Sequence, residues 1–402
     1  MASAQLLDLH APTSTGEPAL QLQPAKVQAA ERRPPLPALT GLRTLLALTI
    51  LMFHFTPAGL SSAKHPWLTL YPIIDIGYVF VSFFFLISGF ILSYNYAHRP
   101  GGVRKADFWM ARFSRLYPVY LLTMLISLPM LMLEWHSRTH GQFWLGAIFT
   151  PLLMQGFLPK IATFWNTVSW TLSCEVVLYI AFPWLLRLRW PRSSAKLAAM
   201  VIGFWLLGLI PHTLYFFLNP DHLAQPVTRF SDGVWLSTLK YTPLAYLCTF
   251  LAGLTLGRLH DAADMSVSAR TKLGLAGFAL ALIAAYAIAP RMPYILIHGG
   301  LFTPIWSLVI LGLAGVSPLS RVLSVRPLVA VGTSTYALYL LHFNVFQLLQ
   351  WHHVAEHLHV TRFDPWISYV FVVLLAMAVR RWVEHPCQVA IGGWWKRRQA
   401  RA

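Results

Sequence analysis

Apolar runs long enough to cross a lipid bilayer recur along the whole chain, with the polar residues gathered between them. A helix needs about 20 apolar residues to cross the hydrocarbon core. The pattern predicts an all-α, polytopic transmembrane helix bundle of about ten spans, at 42–60, 72–96, 116–133, 165–186, 197–218, 236–257, 273–289, 294–314, 328–350 and 366–383. A shorter apolar stretch at 143–157 predicts an interfacial or re-entrant segment, since a full span there would invert every later loop.

The two ends of the chain differ from this pattern. Residues 1–38 are rich in Ala, Pro, Gln and Leu without periodicity and lack the features of a signal peptide, which predicts a disordered cytoplasmic tail. Residues 39–386 form the predicted transmembrane domain, and residues 387–402 a basic cytoplasmic tail. The three cysteines are isolated, so no disulfide framework or zinc site is predicted.

The charge supports a membrane protein and not a nucleic-acid-binding one. The chain is 56% hydrophobic and 11% charged, whereas soluble domains are about 25% charged. Most basic residues fall in loops on one side of the predicted spans. The other side has only Lys64, Arg138, Lys160, Arg229, Lys240, Arg291 and Arg362. This asymmetry follows the positive-inside rule, places both termini in the cytoplasm and accounts for the net charge of +17 without nucleic acid.

The first span contains an arginine and a histidine with only uncharged residues between them. Arg43 and His54 are eleven residues apart, which in a helix is about three turns and about 16 Å along the axis. Both side chains should therefore face nearly the same way. Because ionisable groups are costly within a membrane, the pair predicts a functional site.

Two arginines lie three residues apart where the third span begins. The guanidinium groups of Arg112 and Arg115 suit phosphate oxygens, so this pair predicts a site for a nucleotide-like cofactor. Topological anchoring or contact with lipid headgroups is the alternative.

The fourth span contains a carboxylate. Glu175 has Thr171 and Tyr179 four residues away on either side, on the same helical face. One interpretation makes Glu175 the structural partner of an intramembrane arginine. The other makes it a functional carboxylate that orients a histidine or contacts a sugar hydroxyl.

The ninth span has a polar face with a histidine. Ser334 and His342 are eight residues apart on one helical face, and Tyr339 lies beside it. His342 has either a direct catalytic role or a structural one in which a neighbour satisfies its hydrogen bonds, and Ser334 is either a substrate contact or a packing residue.

Residues 83–90 predict helix packing through Ser88 and Gly89. The histidines at 352, 353, 357 and 359 predict a solvated loop and not a metal site.

Together, these motifs resemble those of the acyltransferase 3 family of integral-membrane acyltransferases, over about residues 39–386. The matching positions are Arg43 and His54; the Ser-Gly-Phe motif at 84–90; Arg112, Arg115, Tyr117 and Pro118; Thr171, Leu172, Ser173 and Glu175; Ser334, Tyr336, Tyr339 and His342; and Glu384 with Pro386. One departure is Thr171, which replaces the usual serine but keeps a hydroxyl. The chain also shows no hydrolase-like domain of the kind that some relatives carry.

The resemblance implies acyl transfer from acetyl-CoA, or another acyl-CoA, to a hydroxyl acceptor, without a metal. The usual acceptor is an exported or cell-surface glycan, and the usual location is the bacterial inner membrane. Two alternatives are the acylation of a small molecule such as a macrolide antibiotic and a proton-coupled membrane transporter, which would also use intramembrane Arg, His and Glu residues.

The expected roles divide the candidate residues into three groups. The catalytic group is His54, Arg43, Glu175 and His342; the acyl-CoA-binding group is Arg112, Arg115 and Arg43; and the substrate-binding group is Thr171, Tyr179, Ser334 and Tyr339. His54 is the expected general base on the acceptor hydroxyl. An acyl-histidine relay is a second version of the mechanism.

Overall fold

The computed structural model describes residues 33–55, 70–99 and 102–401, and these form a helical bundle without strands. Their α-helices are α1 Pro37–Phe55, α2 Tyr71–Asp75, α3 Val79–Tyr96, α4 Lys105–Ile126, α5 Leu128–Ser137, α6 His140–Phe149, α7 Trp170–Leu185, α8 Ser194–Leu218, α9 Val234–Tyr241, α10 Pro243–Ala262, α11 Val267–Ile283, α12 Tyr294–His298, α13 Thr303–Leu313, α14 Pro318–Leu323, α15 Arg326–Thr333, α16 Thr335–Trp351, α17 Val354–His357, α18 Trp366–Val379 and α19 His385–Arg401. Short 3₁₀ or π turns connect several of them. The all-α, polytopic prediction is confirmed.

In the described part of the chain, fewer helices than the predicted ten have the length and composition of a membrane span. Among the described residues, six helices have the length and apolar composition to cross a membrane, or up to eight if two bent pairs each count as one span. The pairs are α4 with α5, bent by 65°, and α15 with α16, bent by 67°. The predicted span at 165–186 is helical only from Trp170, and the helix has 16 residues, fewer than the roughly 20 that cross the hydrocarbon core. Helix α10 has the length but contains Arg258 and Asp261 near its end.

Three segments were predicted to lie outside the spans: the two ends of the chain and the stretch at 143–157. Residues 1–32 of the expected tail lie outside the described part of the chain. The stretch at 143–157 includes a ten-residue helix, α6, and a 3₁₀ turn; its interfacial or re-entrant position stays a prediction. Residues 387–401, expected as a basic tail, lie in α19, where Trp395 and Gln399 donate hydrogen bonds to Asp107 of α4.

Close contact between α3 and α10 forms the centre of the bundle. A Cβ added at Gly89 would overlap the carbonyl oxygen of Phe250, and one added at Gly253 would overlap the carbonyl oxygen of Leu86. The missing side chains let the two backbones approach, as small residues do in membrane bundles. The prediction that residues 83–90 pack through Gly89 is therefore confirmed.

The periphery of the bundle is apolar. Of the 18 consecutive residues of α8 that are most apolar, only 17% are buried within the protein. Side chains such as Leu206 and Leu214 are more than half exposed. An apolar helix with so little protein cover is typical of a lipid-facing position. The chain is a multi-pass integral membrane protein.

Candidate active site

A cavity of about 150 Å³ lies between α1, α3, α4, α7 and α16. Seven of the residues predicted from the sequence line it: Arg43, Arg112, Arg115, Thr171, Glu175, Tyr179 and Tyr339. We call it the central cavity. The structure thus brings together residues that are almost 300 positions apart in the sequence.

Arg112 is held in an aromatic cage on the wall of this cavity. Its Nη2 donates a hydrogen bond to the hydroxyl of Tyr96 at 3.2 Å. The guanidinium carbon lies 5.2 Å from the ring centre of Phe108, 5.5 Å from that of Tyr179 and 5.9 Å from that of Tyr96. Cation–π contacts of this kind stabilise a desolvated guanidinium without neutralising it.

Arg115 shares a buried carboxylate with a second arginine. Glu384 is 1% exposed and ends a π-helical turn, Arg380–Glu384. Its Oε1 lies 3.0 Å from Nη1 of Arg380 and 3.9 Å from Nε of Arg115. A π turn shifts the helix register by one residue, and here it precedes α19.

The donors on two of the arginines fit an anionic ligand. Among the described residues, the buried Nε atoms of Arg43 and Arg112 have no hydrogen-bond partner. Buried polar atoms are normally paired, so each unpaired donor requires an explanation. Three arginines with one carboxylate, Glu175, give the cavity an excess of positive charge, which suits the phosphates of an acyl-CoA.

Glu175 is a hydrogen-bond acceptor for two hydroxyls. The hydroxyl of Tyr179, one turn further along α7, donates to its Oε1, and Oγ of Ser88 on α3 donates to the same atom at 3.4 Å. The i, i+4 spacing of Glu175 and Tyr179 was readable from the sequence; the contact with Ser88 depends on how α3 packs against α7. The hydrogen bonds described for Glu175 do not include His54.

The two predicted histidines lie together, beyond the lining of the central cavity. The ring centres of His54 and His342 are 5.3 Å apart. His54 is the penultimate residue of α1 and is exposed, whereas His342 on α16 is 1% exposed. Phe343 packs edge-on against His54 with ring centres 5.1 Å apart.

The backbone defines the protonation pattern of His342. Its Nδ1 lies 2.6 Å from the carbonyl oxygen of Tyr339. A carbonyl oxygen only accepts, so Nδ1 carries the proton and Nε2 carries the lone pair in the neutral ring. Nε2 is buried without a partner among the described residues. A basic nitrogen is thus held free beside His54.

Tyr339 connects the histidines to the central cavity. It lines the cavity, and its ring centre is 5.6 Å from that of His342. Ser334 is not brought to the cavity: it is buried at the bend between α15 and α16, where its carbonyl oxygen accepts a bond from the amide of Leu338. Ser334 thus caps the start of α16, and Thr335, not Ser334, lines the cavity.

The sequence analysis gave no catalytic or binding role to three residues of this region. Ser88 was assigned to helix packing, and Tyr336 and Glu384 appeared only as motif positions. Tyr336 lines the cavity and donates a hydrogen bond to the carbonyl oxygen of Leu116 at 2.6 Å. The available signal for Glu384 was a carboxylate at the end of an apolar run, with no other acidic residue between it and residue 402.

Across the described ranges, no group of three or more His, Cys, Asp or Glu side chains has the geometry to hold a metal ion.

Comparison with known proteins identifies the class. Residues 36–379 match the acyltransferase 3 family, described as an acyltransferase domain. The chain therefore belongs to this family of membrane acyltransferases, and the resemblance in its motifs is confirmed. Its enzyme class is that of transferases for acyl groups other than aminoacyl groups, and the family implies an acyl donor and a hydroxyl acceptor. The transporter alternative is set aside by this membership.

Individual relatives differ in how much of their length is matched. The chain is 30% identical to acyltransferase MdmB of Streptomyces mycarofaciens, over 78% of this chain and 79% of that protein. It is 22% identical to peptidoglycan O-acetyltransferase OatA of Listeria monocytogenes and to O-acetyltransferase OatA of Staphylococcus aureus, over 87% of this chain. The matches span 55% and 57% of those two proteins. No solved structure matches the chain.

Proposed function

We propose that this protein transfers an acyl group, most simply acetyl, from cytoplasmic acyl-CoA to a hydroxyl of a small acceptor. The observation that carries the proposal is the central cavity, in which three arginines face one carboxylate and a tyrosine leads to a pair of histidines. A cluster of cations suits the donor, and a basic ring nitrogen suits the activation of a hydroxyl.

The donor end is assigned to Arg43, Arg112 and Arg115. The unpaired Nε atoms of Arg43 and Arg112 support contacts with phosphate oxygens. Because acyl-CoA is cytoplasmic, this assignment directs the arginine end of the bundle toward the cytoplasm. It agrees with the basic loops on that side and with cytoplasmic termini.

The transfer of the acyl group is assigned to the two histidines, with His54 as the general base. In this mechanism His54 removes the proton from the acceptor hydroxyl while the hydroxyl oxygen bonds to the thioester carbonyl carbon. The carbon–sulfur bond then breaks, and His54 returns the proton to the thiolate. The products are an ester and free CoA. His342 is a positioning residue, because its unprotonated Nε2 can accept an N–H from His54 and direct the other nitrogen of His54 to the acceptor.

The remaining polar residues are assigned to the neighbourhood of the thioester. Glu175 and Tyr179 form one hydrogen-bonded group with Ser88, close to the arginines. We assign Thr171, Tyr179 and Tyr339 to contacts with the reacting groups. Ser334 is assigned to support of α16 through its position at the bend.

The size of the acceptor is inferred from the relatives. The relative that shares 30% identity is matched over four-fifths of its length, and the relative named for peptidoglycan shares 22% identity over 55% of its length. The match to the relative named for peptidoglycan is therefore the weaker of the two. For this reason we propose a small hydroxylated acceptor and not the glycan expected from the family alone.

The test uses purified full-length protein in lipid nanodiscs with acetyl-CoA and hydroxylated acceptors. Release of free CoA should depend on the acceptor, and His54→Ala should abolish it. His352→Ala is the matched control, because His352 is exposed in a loop beyond α16 and its loss should leave activity unchanged. Acyl transfer that survives His54→Ala contradicts the role of His54; an absence of CoA binding contradicts the function.

A further inference from the structure

A second cavity, of about 620 Å³, opens at the other end of the bundle. Its lining includes Tyr78, Phe216, Arg229, Phe230, Arg291 and Tyr294, and we call it the distal cavity. The residues come from the start of α3, the end of α8, the loop before α9 and the turn that leads into α12. None of them belongs to the motifs of the sequence analysis.

Phe53 lies between the lining of the distal cavity and His54. The guanidinium of Arg229 lies 4.6 Å from the ring centre of Phe53, and the ring of Tyr78 lies 5.8 Å from it. Phe53 precedes His54, and their ring centres are 5.0 Å apart. Arg43, in the central cavity, is ten residues before Phe53 on the same helix, about 15 Å away along the axis. The histidines therefore lie between two cavities.

The lining of the distal cavity has both aromatic faces and hydrogen-bonding groups. Tyr78 and Tyr294 pack together with ring centres 5.0 Å apart. Arg229 lies over the ring of Phe230 at 4.8 Å and pairs with Asp75 at 3.3 Å. Aromatic surfaces cover the apolar face of a ring, while charged side chains hydrogen-bond its hydroxyls.

The geometry points to the distal cavity as the acceptor site, and to a hydroxylated ring compound of drug-like size as its occupant. This inference rests on the proposed function. The volume lies within the range of small-molecule pockets, roughly 300–1,000 Å³, so the cavity can hold a compound of drug-like size, whereas a polymer would remain mostly outside. The acceptor hydroxyl would approach His54 from the side opposite the arginines.

Two adjacent phenylalanines on α8 provide a matched pair of variants. Phe216 lines the cavity and is 38% exposed, whereas Phe217 is 76% exposed and is not part of the lining. The probe is tritiated erythronolide B, a neutral macrolactone with several hydroxyls, in equilibrium dialysis against full-length protein in nanodiscs. We expect Phe216→Ala to weaken its binding about tenfold and Phe217→Ala to leave it unchanged.

A second pair covers the possibility that Phe216→Ala fails to fold. Arg291 lines the cavity and Arg362 lies outside it, and both are exposed. Arg291→Gln should weaken probe binding and Arg362→Gln should not. Absence of binding to the wild type, or equal losses in the members of each pair, would overturn the inference. Displacement of the probe by dextran would overturn the choice of a small compound.

CoA binding, measured on the same preparations, separates this inference from the proposed function. If the wild type binds CoA but not the macrolactone, the acceptor inference alone fails. If it binds no CoA, the proposed function fails, whatever the probe does. Phe216→Ala should leave the dissociation constant for CoA unchanged, because the distal cavity is separate from the arginines.

Discussion

Replacing Arg112 with glutamine should weaken CoA binding about thirtyfold. In the structure its guanidinium donates to Tyr96 at 3.2 Å and lies 5.2 Å from the ring centre of Phe108, so the charge is held in place before the ligand arrives. A hydrogen bond to a charged group contributes about 1.5–3 kcal/mol. A loss of about 2 kcal/mol corresponds to roughly thirtyfold, since each 1.4 kcal/mol is tenfold.

Titration calorimetry of the purified protein with CoA measures this change. Arg112→Lys should give a smaller loss, because lysine keeps the charge but lacks the planar fork. Arg189→Gln is the matched control: it removes the same charge from an exposed position outside the central cavity. We expect it to leave the dissociation constant unchanged.

Pantetheine, which lacks the nucleotide phosphates, provides the decisive comparison. Wild type and Arg112→Gln should bind it equally, because the lost contact is with phosphate. An equal loss of affinity for pantetheine and CoA would show that Arg112 acts by supporting the fold. An unchanged affinity for CoA would refute the assignment of Arg112 to the donor.

Three further changes test separate parts of the molecule. Glu175→Gln should lower the rate of acyl transfer about tenfold, as expected for one weakened hydrogen bond, without weakening CoA binding; weaker CoA binding would contradict its role beside the thioester. Glu384→Ala leaves its arginine partners unpaired. Because those arginine side chains are about a quarter to a third exposed, we expect a loss of about 1.5–3 kcal/mol, seen as a lower unfolding temperature by tryptophan fluorescence; an unchanged temperature would contradict this. Gly253→Ala places a methyl group against the backbone of Leu86 and should cost about 1–3 kcal/mol. Gly203→Ala, which meets open space inside α8, should not lower stability in the same assay, because alanine favours a helix over glycine by up to about 1 kcal/mol.

The apolar pattern predicted where the helices lie but not where they bend. A run of apolar residues has the same hydropathy whether the helix is straight or broken. The bend at Ser127, between α4 and α5, and the bend at Ser334, between α15 and α16, therefore left no signal in the hydropathy. The local signal for the first bend was Pro129 in the first turn of α5. The second bend places Ser334 at the cap of α16, outside the lining of the central cavity.

The candidate site was predictable within single helices. The contact of Glu175 with Tyr179 follows from one helical turn, and the helical connection between Arg43 and His54 follows from an uninterrupted apolar run. The contacts of Ser88 with Glu175 and of Arg115 with Glu384 join distant segments. Such contacts depend on the packing of helices, which a single sequence does not specify.

The position of the histidine pair between two cavities has an electrical consequence for the proposed reaction. The acyl group moves outward and leaves its bonding electron pair on the sulfur, so it formally carries one positive charge. The hydroxyl proton carries one positive charge inward to the thiolate. Each exchange therefore carries no net charge across the membrane, and the highly charged CoA remains at its own end of the bundle. A voltage of 100 mV changes the energy of a transferred elementary charge by about 2.3 kcal/mol, but here the net charge transferred is zero. The equilibrium of the reaction should thus be independent of the membrane potential.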